Sequence, residues 1–275
     1  MIPPSVIQEL NRVTYCNGKD SLYLSQDNLD NFRFDIRDFH DTNYFRDSII
    51  PVFQENKFVI LSSDKNSEAK DLLFNLKQYF GEVIVQQYGK TTNGLFKIEV
   101  SEKGLTTAKT NKAQPIHTDH SFGFGFPNVV AMYCEESALR GGYTKLVRAQ
   151  NVYSYLEANS QVDLENNLVE YVTRHGNYST QNVFKNDHGN TCLYWSPFTQ
   201  AVQGTEYSEN TYRLINSFCQ NPVNQITYKL KKGEILILDN LSILHARTEF
   251  EEASKRVLYR LWFDGISKYD LNIGF

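Results

Sequence analysis

Among the six histidines of this 275-residue chain, His117 stands two positions before an acidic residue, in the run His117-Thr118-Asp119. Residues i and i+2 of an extended backbone point to the same side, so this imidazole and carboxylate can share one metal ion. Pro115 precedes the pair and Ser121-Phe122-Gly123 follows it, which places the pair where a strand begins or ends. His245 is the candidate third ligand, because it follows the buried-strand pattern EILILDN and the short apolar segment LSIL. Two histidines and one carboxylate on one face of an octahedron form the facial triad of non-haem Fe(II) oxygenases. Three positions then stay open for a chelating co-substrate and dioxygen. A closed four-ligand set would be structural instead. The bland alternative is a pair of satisfied core histidines and a turn aspartate.

Arg256 and Arg260 lie eleven and fifteen residues beyond His245. Being four apart, on one strand they face the same side as Leu258, inside the otherwise apolar run VLYRLWF. Guanidinium groups pointing into a barrel need an anionic partner. A dicarboxylate co-substrate supplies one, gripped through its distal carboxylate by a planar fork of donors. Thr144, just after Gly141-Gly142, could add a hydroxyl to the same carboxylate. Arg247 could pair with a substrate carboxylate; its alternative is a surface ion pair worth about 0–1 kcal/mol.

These residues need a scaffold, and the pattern around them is mostly strand. Phe45, Ile49, Ile50 and Phe53 have helical spacing over 44–56, with Pro51 breaking or beginning the helix. KFVILS at 57–62 reads as a short buried strand. Residues 67–80 read as a helix capped by Ser67, with Leu72, Leu73, Leu76 and Phe80 on one face and Gly81 as its stop. The period then switches to two, with strands expected at 82–87, 96–101, 129–135, 143–148, 191–195, 225–230, 234–239 and 256–263. Helices are expected at 151–158 and 208–219. Many short strands with inserted helices make a mainly β protein of jelly-roll type. No repeat, low-complexity tract or linker divides it, so 1–275 reads as one domain with a helical N-terminal portion of about 80 residues.

Composition narrows the function classes. Lys plus Arg total 28 against 32 Asp plus Glu, a formal net charge of −4 with no basic run, which argues against a nucleic-acid partner. No stretch approaches the roughly 20 apolar residues of a membrane span, and the start lacks a signal-peptide pattern, so the chain reads as cytoplasmic. The four cysteines, Cys16, Cys134, Cys192 and Cys219, have no CxxC pair and read as small buried apolar residues. His40, His175 and His188 sit in polar surroundings and read as solvated. The alternating Phe122, Phe124 and Phe126 read as core packing, or alternatively as a pocket wall.

The chain resembles the Fe(II)/2-oxoglutarate-dependent dioxygenases of the taurine dioxygenase (TauD/TfdA-like) family. The resemblance rests on QPIHTDHSF at 114–122, RGGYTKLVRAQNVYSYL at 140–156, LKKGEILILDNLSILHARTEF at 230–250 and KRVLYR at 255–260, in that order. It implies a double-stranded β-helix, a cupin-like jelly roll. It implies His117, Asp119 and His245 as iron ligands, with Thr144, Arg256 and Arg260 around 2-oxoglutarate and Arg256 on the distal carboxylate. Gln114, His120, Phe198 and Arg247 are the candidate substrate neighbours. The implied chemistry uses dioxygen, converts 2-oxoglutarate to succinate and carbon dioxide, and hydroxylates an unactivated C–H bond of a small amino-acid-like or carboxylate molecule. That substrate would be free or carrier-bound, in a natural-product pathway. Desaturation, cyclisation or rearrangement by the same chemistry is the alternative outcome, and a non-catalytic metal-binding jelly roll the alternative class. A homo-oligomer stays open. Related halogenases replace the carboxylate ligand with a small residue, so Asp119 argues against halogenation. Ala113 stands where the taurine enzyme has an amide that helps hold the sulfonate, which argues against taurine.

Overall fold

The computed structural model describes residues 29–36, 39–63, 68–85, 93–101, 107–121, 126–159, 163, 168–172, 178–187, 189–197, 201–203 and 206–275. Its strands in chain order are β1 (Arg33–Ile36), β2 (Phe58–Ser63), β3 (Phe96–Ile98), β4 (Gln114–His117), β5 (Val129–Glu136) and β6 (Thr144–Arg148). There follow β7 (Leu168–Val172), β8 (Tyr178–Asn182), β9 (Phe184–Asp187), β10 (Asn190–Leu193) and β11 (Ala201–Gln203). The last four are β12 (Ile226–Tyr228), β13 (Glu234–Asp239), β14 (Ile243–Arg247) and β15 (Val257–Phe263). A six-stranded sheet runs β1-β2-β13-β5-β15-β3 and a four-stranded sheet runs β12-β6-β14-β4. The pairings are antiparallel except β1 with β2. Strands β9 and β10 form a hairpin, and β7, β8 and β11 a small third sheet.

The strand period sorts the apolar residues into layers. In β13, Leu236 and Leu238 face the four-stranded sheet and pack with Leu146 and Ile243. Ile235 and Ile237 face outward and pack on Phe45, Ile49, Phe53, Leu73 and Phe80 of the N-terminal helices. A strand covered on both faces needs apolar residues at every position, which is why EILILD reads as a continuous run. The outer face of the four-stranded sheet, through Val147, Leu244 and Ala246, is covered by helices Ala149–Ala158 and Glu206–Gln220. Two facing sheets with helices outside them form the double-stranded β-helix that the segment order implies.

Several expectations change in detail. Residues 45–56 form a π-helix, Phe45–Ile49, running into an α-helix, Ile50–Asn56, so Pro51 neither ends the helix nor starts it from a loop but sits where the π-helix passes into the α-helix. The helix expected over 67–80 is two short helices, Ala69–Asn75 and Lys77–Phe80, broken at Leu76, and Ser67 lies outside the described residues. Of the strand expected at 82–87, the described part holds only a bridge from Val83 to Phe263. The N-terminal portion is not helical throughout, since β1 and β2 form one edge of the larger sheet. Among the described residues no helix is long and apolar enough to cross a membrane.

Candidate metal centre

Strands β4 and β14 pair so that His117 lies directly across from His245. Within β14 the alternation sends Leu244 and Ala246 to the outer layer, leaving His245 and Arg247 on the inner face with Ile243. The two imidazole centroids are 4.3 Å apart. Asp119 follows β4 in a turn and brings Oδ1 to 3.4 Å from His117 Nε2 and 3.8 Å from His245 Nε2. One ligand atom from each of the three residues lies within 4.8 Å of the others, and all three residues are buried.

The turn is held from both sides. Asn240, buried at the end of β13, accepts from the Asp119 backbone N–H at 2.7 Å and donates to the Asp119 carbonyl at 3.0 Å and to that of Pro127 at 2.9 Å. On the other flank the Thr118 N–H donates to the Trp195 carbonyl, and Thr118 Oγ1 accepts from the Trp195 N–H. His117 Nδ1 lies 2.8 Å from the Pro115 carbonyl. That contact makes Nδ1 the protonated nitrogen and leaves the Nε2 lone pair facing Asp119 and His245, as a metal-binding imidazole requires. Burial, reinforced by neighbouring His117, pushes the His245 pKa down to about 3, so its imidazole is neutral at physiological pH. Burial alone would raise the Asp119 carboxyl, but Arg260 and the two imidazoles hold it well below the ordinary range. An anionic oxygen and two imidazole nitrogens suit a divalent iron ion.

A cavity between the sheets opens beside this set, lined by Gln114, Thr144, His245, Arg247, Arg256 and Arg260 among others. Arg256 is buried over the Phe250 ring, 5.8 Å from its centroid, and among the described residues has no hydrogen-bond or ion-pair partner. Burial pushes its pKa down to about 10, still charged at neutral pH. Gly141 and Gly142 make room here. A side chain at Gly141 would collide with the Glu249 carbonyl, and a Cβ at Gly142 would lie 3.3 Å from Arg256 Cδ. Both take positive φ, 72° and 68°, which favours glycine.

Other candidates fall differently from expectation. Arg247 is no surface residue, being only 4% exposed and the last residue of β14. It donates to the carbonyls of Thr110 at 2.8 Å and Lys112 at 2.6 Å, tying the 108–112 segment to the cavity wall. Arg260 Nη1 lies 2.9 Å from each oxygen of Asp119. Gln114 Nε2 lies 3.4 Å from His117 Nε2. His120, with φ 56°, packs against Trp262 at 5.4 Å. Phe198 lies outside the described residues, as do Phe122, Phe124, His175, His188 and Cys16. Phe126 packs edge-on against Tyr194, and Cys134, Cys192 and Cys219 are buried thiols pushed upward in pKa by burial.

Sequence reasoning missed Asn240 and Trp262. The Trp262 indole donates to Asp119 Oδ2 at 2.9 Å. Its signal was available, since the rule that pairs Leu258 with Arg260 also puts Trp262 on their face. Asn240 carries no such mark, because a polar residue ending a strand usually reads as a turn former.

Fold and site together define a class, the double-stranded β-helix proteins with a buried His-x-Asp and distal His between their sheets. The chain belongs to the taurine catabolism dioxygenase TauD, TfdA family, which it matches over residues 23–262. It is 24% identical over 217 residues to gamma-butyrobetaine dioxygenase of Homo sapiens, covering 70% of this chain and 52% of that protein. The chain thus spans about half the length of that relative. Among solved structures it resembles asparagine oxygenase in complex with Fe(II), 2S,3S-3-hydroxyasparagine and succinate. The TM-score is 0.69 at 16% identity, over 94% of this chain and 90% of that one. A taurine dioxygenase from Burkholderia xenovorans matches with TM-score 0.56 at 19% identity, over 76% and 77%.

Proposed function

We propose that the protein is an Fe(II)- and 2-oxoglutarate-dependent oxygenase that hydroxylates an unactivated C–H bond of a small amino-acid-like or carboxylate molecule. The observation that carries this reading is the buried set of His117, Asp119 and His245, with ligand atoms within 4.8 Å of one another, beside a cavity holding Arg256, which has no anionic partner among the described residues. His117, Asp119 and His245 hold the iron. Arg256 takes the distal carboxylate of 2-oxoglutarate and Thr144 donates its hydroxyl to the same group. When bound, iron, the 2-oxo acid and dioxygen supply an oxidative decarboxylation to succinate coupled to C–H oxidation.

The chain's own residues bind, orient and keep water out. Three protein donors leave half an octahedron open, so the co-substrate can chelate and dioxygen has a place. The neutral His245 and the pinned Asp119 turn keep the donor set ready without rearrangement. Arg247 holds the 108–112 segment over the cavity. The amino-acid-like substrate is supported by the structural likeness to asparagine oxygenase and by the cationic lining of the cavity.

The test is succinate release from purified protein with Fe(II), ascorbate and 2-oxoglutarate, across free amino acids, aliphatic acids, sulfonates and carrier-bound acyl groups. A product heavier by one oxygen atom marks hydroxylation, and one lighter by two hydrogens marks desaturation or cyclisation. Asp119→Ala is expected to abolish succinate release. Undiminished turnover by that variant would sink the ligand assignment.

A further inference from the structure

We propose that Trp262 is a positioning residue for Asp119: its indole N–H ties up one carboxylate oxygen so that the other is presented alone to the metal. The proposal rests on the reading that His117, Asp119 and His245 hold a divalent ion.

A carboxylate can bind a metal through one oxygen or both. If Asp119 used both, it would consume one of the positions that a chelating 2-oxo acid and dioxygen need. The oxygens of Asp119 are not equivalent. Oδ1 is the one facing the Nε2 atoms of His117 and His245, at 3.4 and 3.8 Å. Oδ2 receives the Trp262 Nε1–H at 2.9 Å. Arg260 Nη1 is 2.9 Å from both oxygens, so it balances the charge without choosing between them. Trp262 makes the choice. The indole can do so because β15 is a period-two strand: Arg260 and Trp262 are two apart on its inner face, and the guanidinium lies 4.6 Å from the indole centroid. The ring is itself buried, so the indole bond to Asp119 is shielded from water.

Trp262→Phe keeps an aromatic ring and deletes the donor. Mn(II) serves as the probe, with free metal read by electron paramagnetic resonance and folding followed by the thermal transition of the metal-free protein. The Mn(II) dissociation constant is expected to rise about tenfold or more, the usual scale for losing a group that orients a ligand. At saturating Mn(II), 2-oxoglutarate should also bind more weakly, because Asp119 is free to close on the metal with both oxygens. Mn(II) and 2-oxoglutarate affinities both within twofold of wild type would overturn the proposal.

A second measurement needs no folded Trp262 variant. Trp195 and Trp262 are the two tryptophans, so 15N-labelled wild type has two indole N–H resonances, assignable with Trp195→Phe. The Trp262 resonance should lie far downfield and move upfield on adding Zn(II), as the ion draws charge from the carboxylate. A resonance that ignores Zn(II) while the protein binds it also overturns the assignment. Failure of wild type to bind Mn(II) at all would instead defeat the proposed function.

Discussion

Arg256 differs from the other two inward-facing arginines in what it touches. Arg247 is spent on backbone carbonyls and Arg260 on Asp119, whereas among the described residues Arg256 has the face of Phe250 and no hydrogen-bond or ion-pair partner. A buried guanidinium stays charged at a cost, and the cost is offset when an anion arrives. Replacement by lysine keeps the charge but loses the two-pronged geometry. Hydrogen bonds to charged groups contribute about 1.5–3 kcal/mol. Arg256→Lys is therefore expected to raise KM for 2-oxoglutarate roughly ten- to a hundredfold, with kcat at saturating co-substrate little changed. Steady-state succinate kinetics check this, and a kcat loss at unchanged KM would move Arg256 from the co-substrate to the reacting centre.

At the scale of elements, the strands that carry the site end in turns that cross-brace one another. Asn240 at the end of β13 holds the backbone after β4, although the two strands lie in different sheets. Asn240→Ala would strand three backbone groups. At about 1 kcal/mol each, and with a chain of this size shifting by about 2–4 °C per kcal/mol, its thermal midpoint should fall by roughly 6–12 °C, with Mn(II) affinity falling too. A stable variant with weakened metal binding would show that Asn240 acts on the turn alone. The same bracing explains what was legible in the sequence. β13 and β15 announced themselves because burial on two faces, or alternation about a charged residue, leaves a pattern within one strand. His117 and Asp119 were legible from their spacing at a strand end, although β4 stops at His117 and Asp119 reaches the site from the turn that follows rather than from an extended chain. The break at Leu76 and the short β3 were not, since tertiary packing ends those elements before the local pattern does. The roles of Asn240 and Arg260 depend on contacts more than a hundred residues away in sequence, and no local pattern encodes them.

Across the whole molecule, buried titratable groups set opposing pH dependences. His245 is depressed in the folded state from an ordinary 6.5 to about 3. Its contribution to stability is complete above pH 6.5 and is lost progressively as pH falls toward 3, because the unfolded chain takes up the proton first. Asp239 has the opposite sign. Burial raises it from 3.8 to about 6, despite hydrogen bonds from Ser242 and from the backbone of Leu241 and Gly274. It adds stability below 3.8 that is lost as pH rises through 6. Between pH 6 and 4 the two partly cancel, which flattens the acid limb of the metal-free protein. Removing either group should tilt that limb in a known direction. His245→Gln should make the thermal midpoint less sensitive to acid between pH 6.5 and 4. Asp239→Asn should make it fall more steeply over the same range, whatever its midpoint at pH 7. Midpoints measured at half-unit steps from pH 7 to 4 check both, and parallel curves for all three proteins would mean that neither group titrates differently on unfolding.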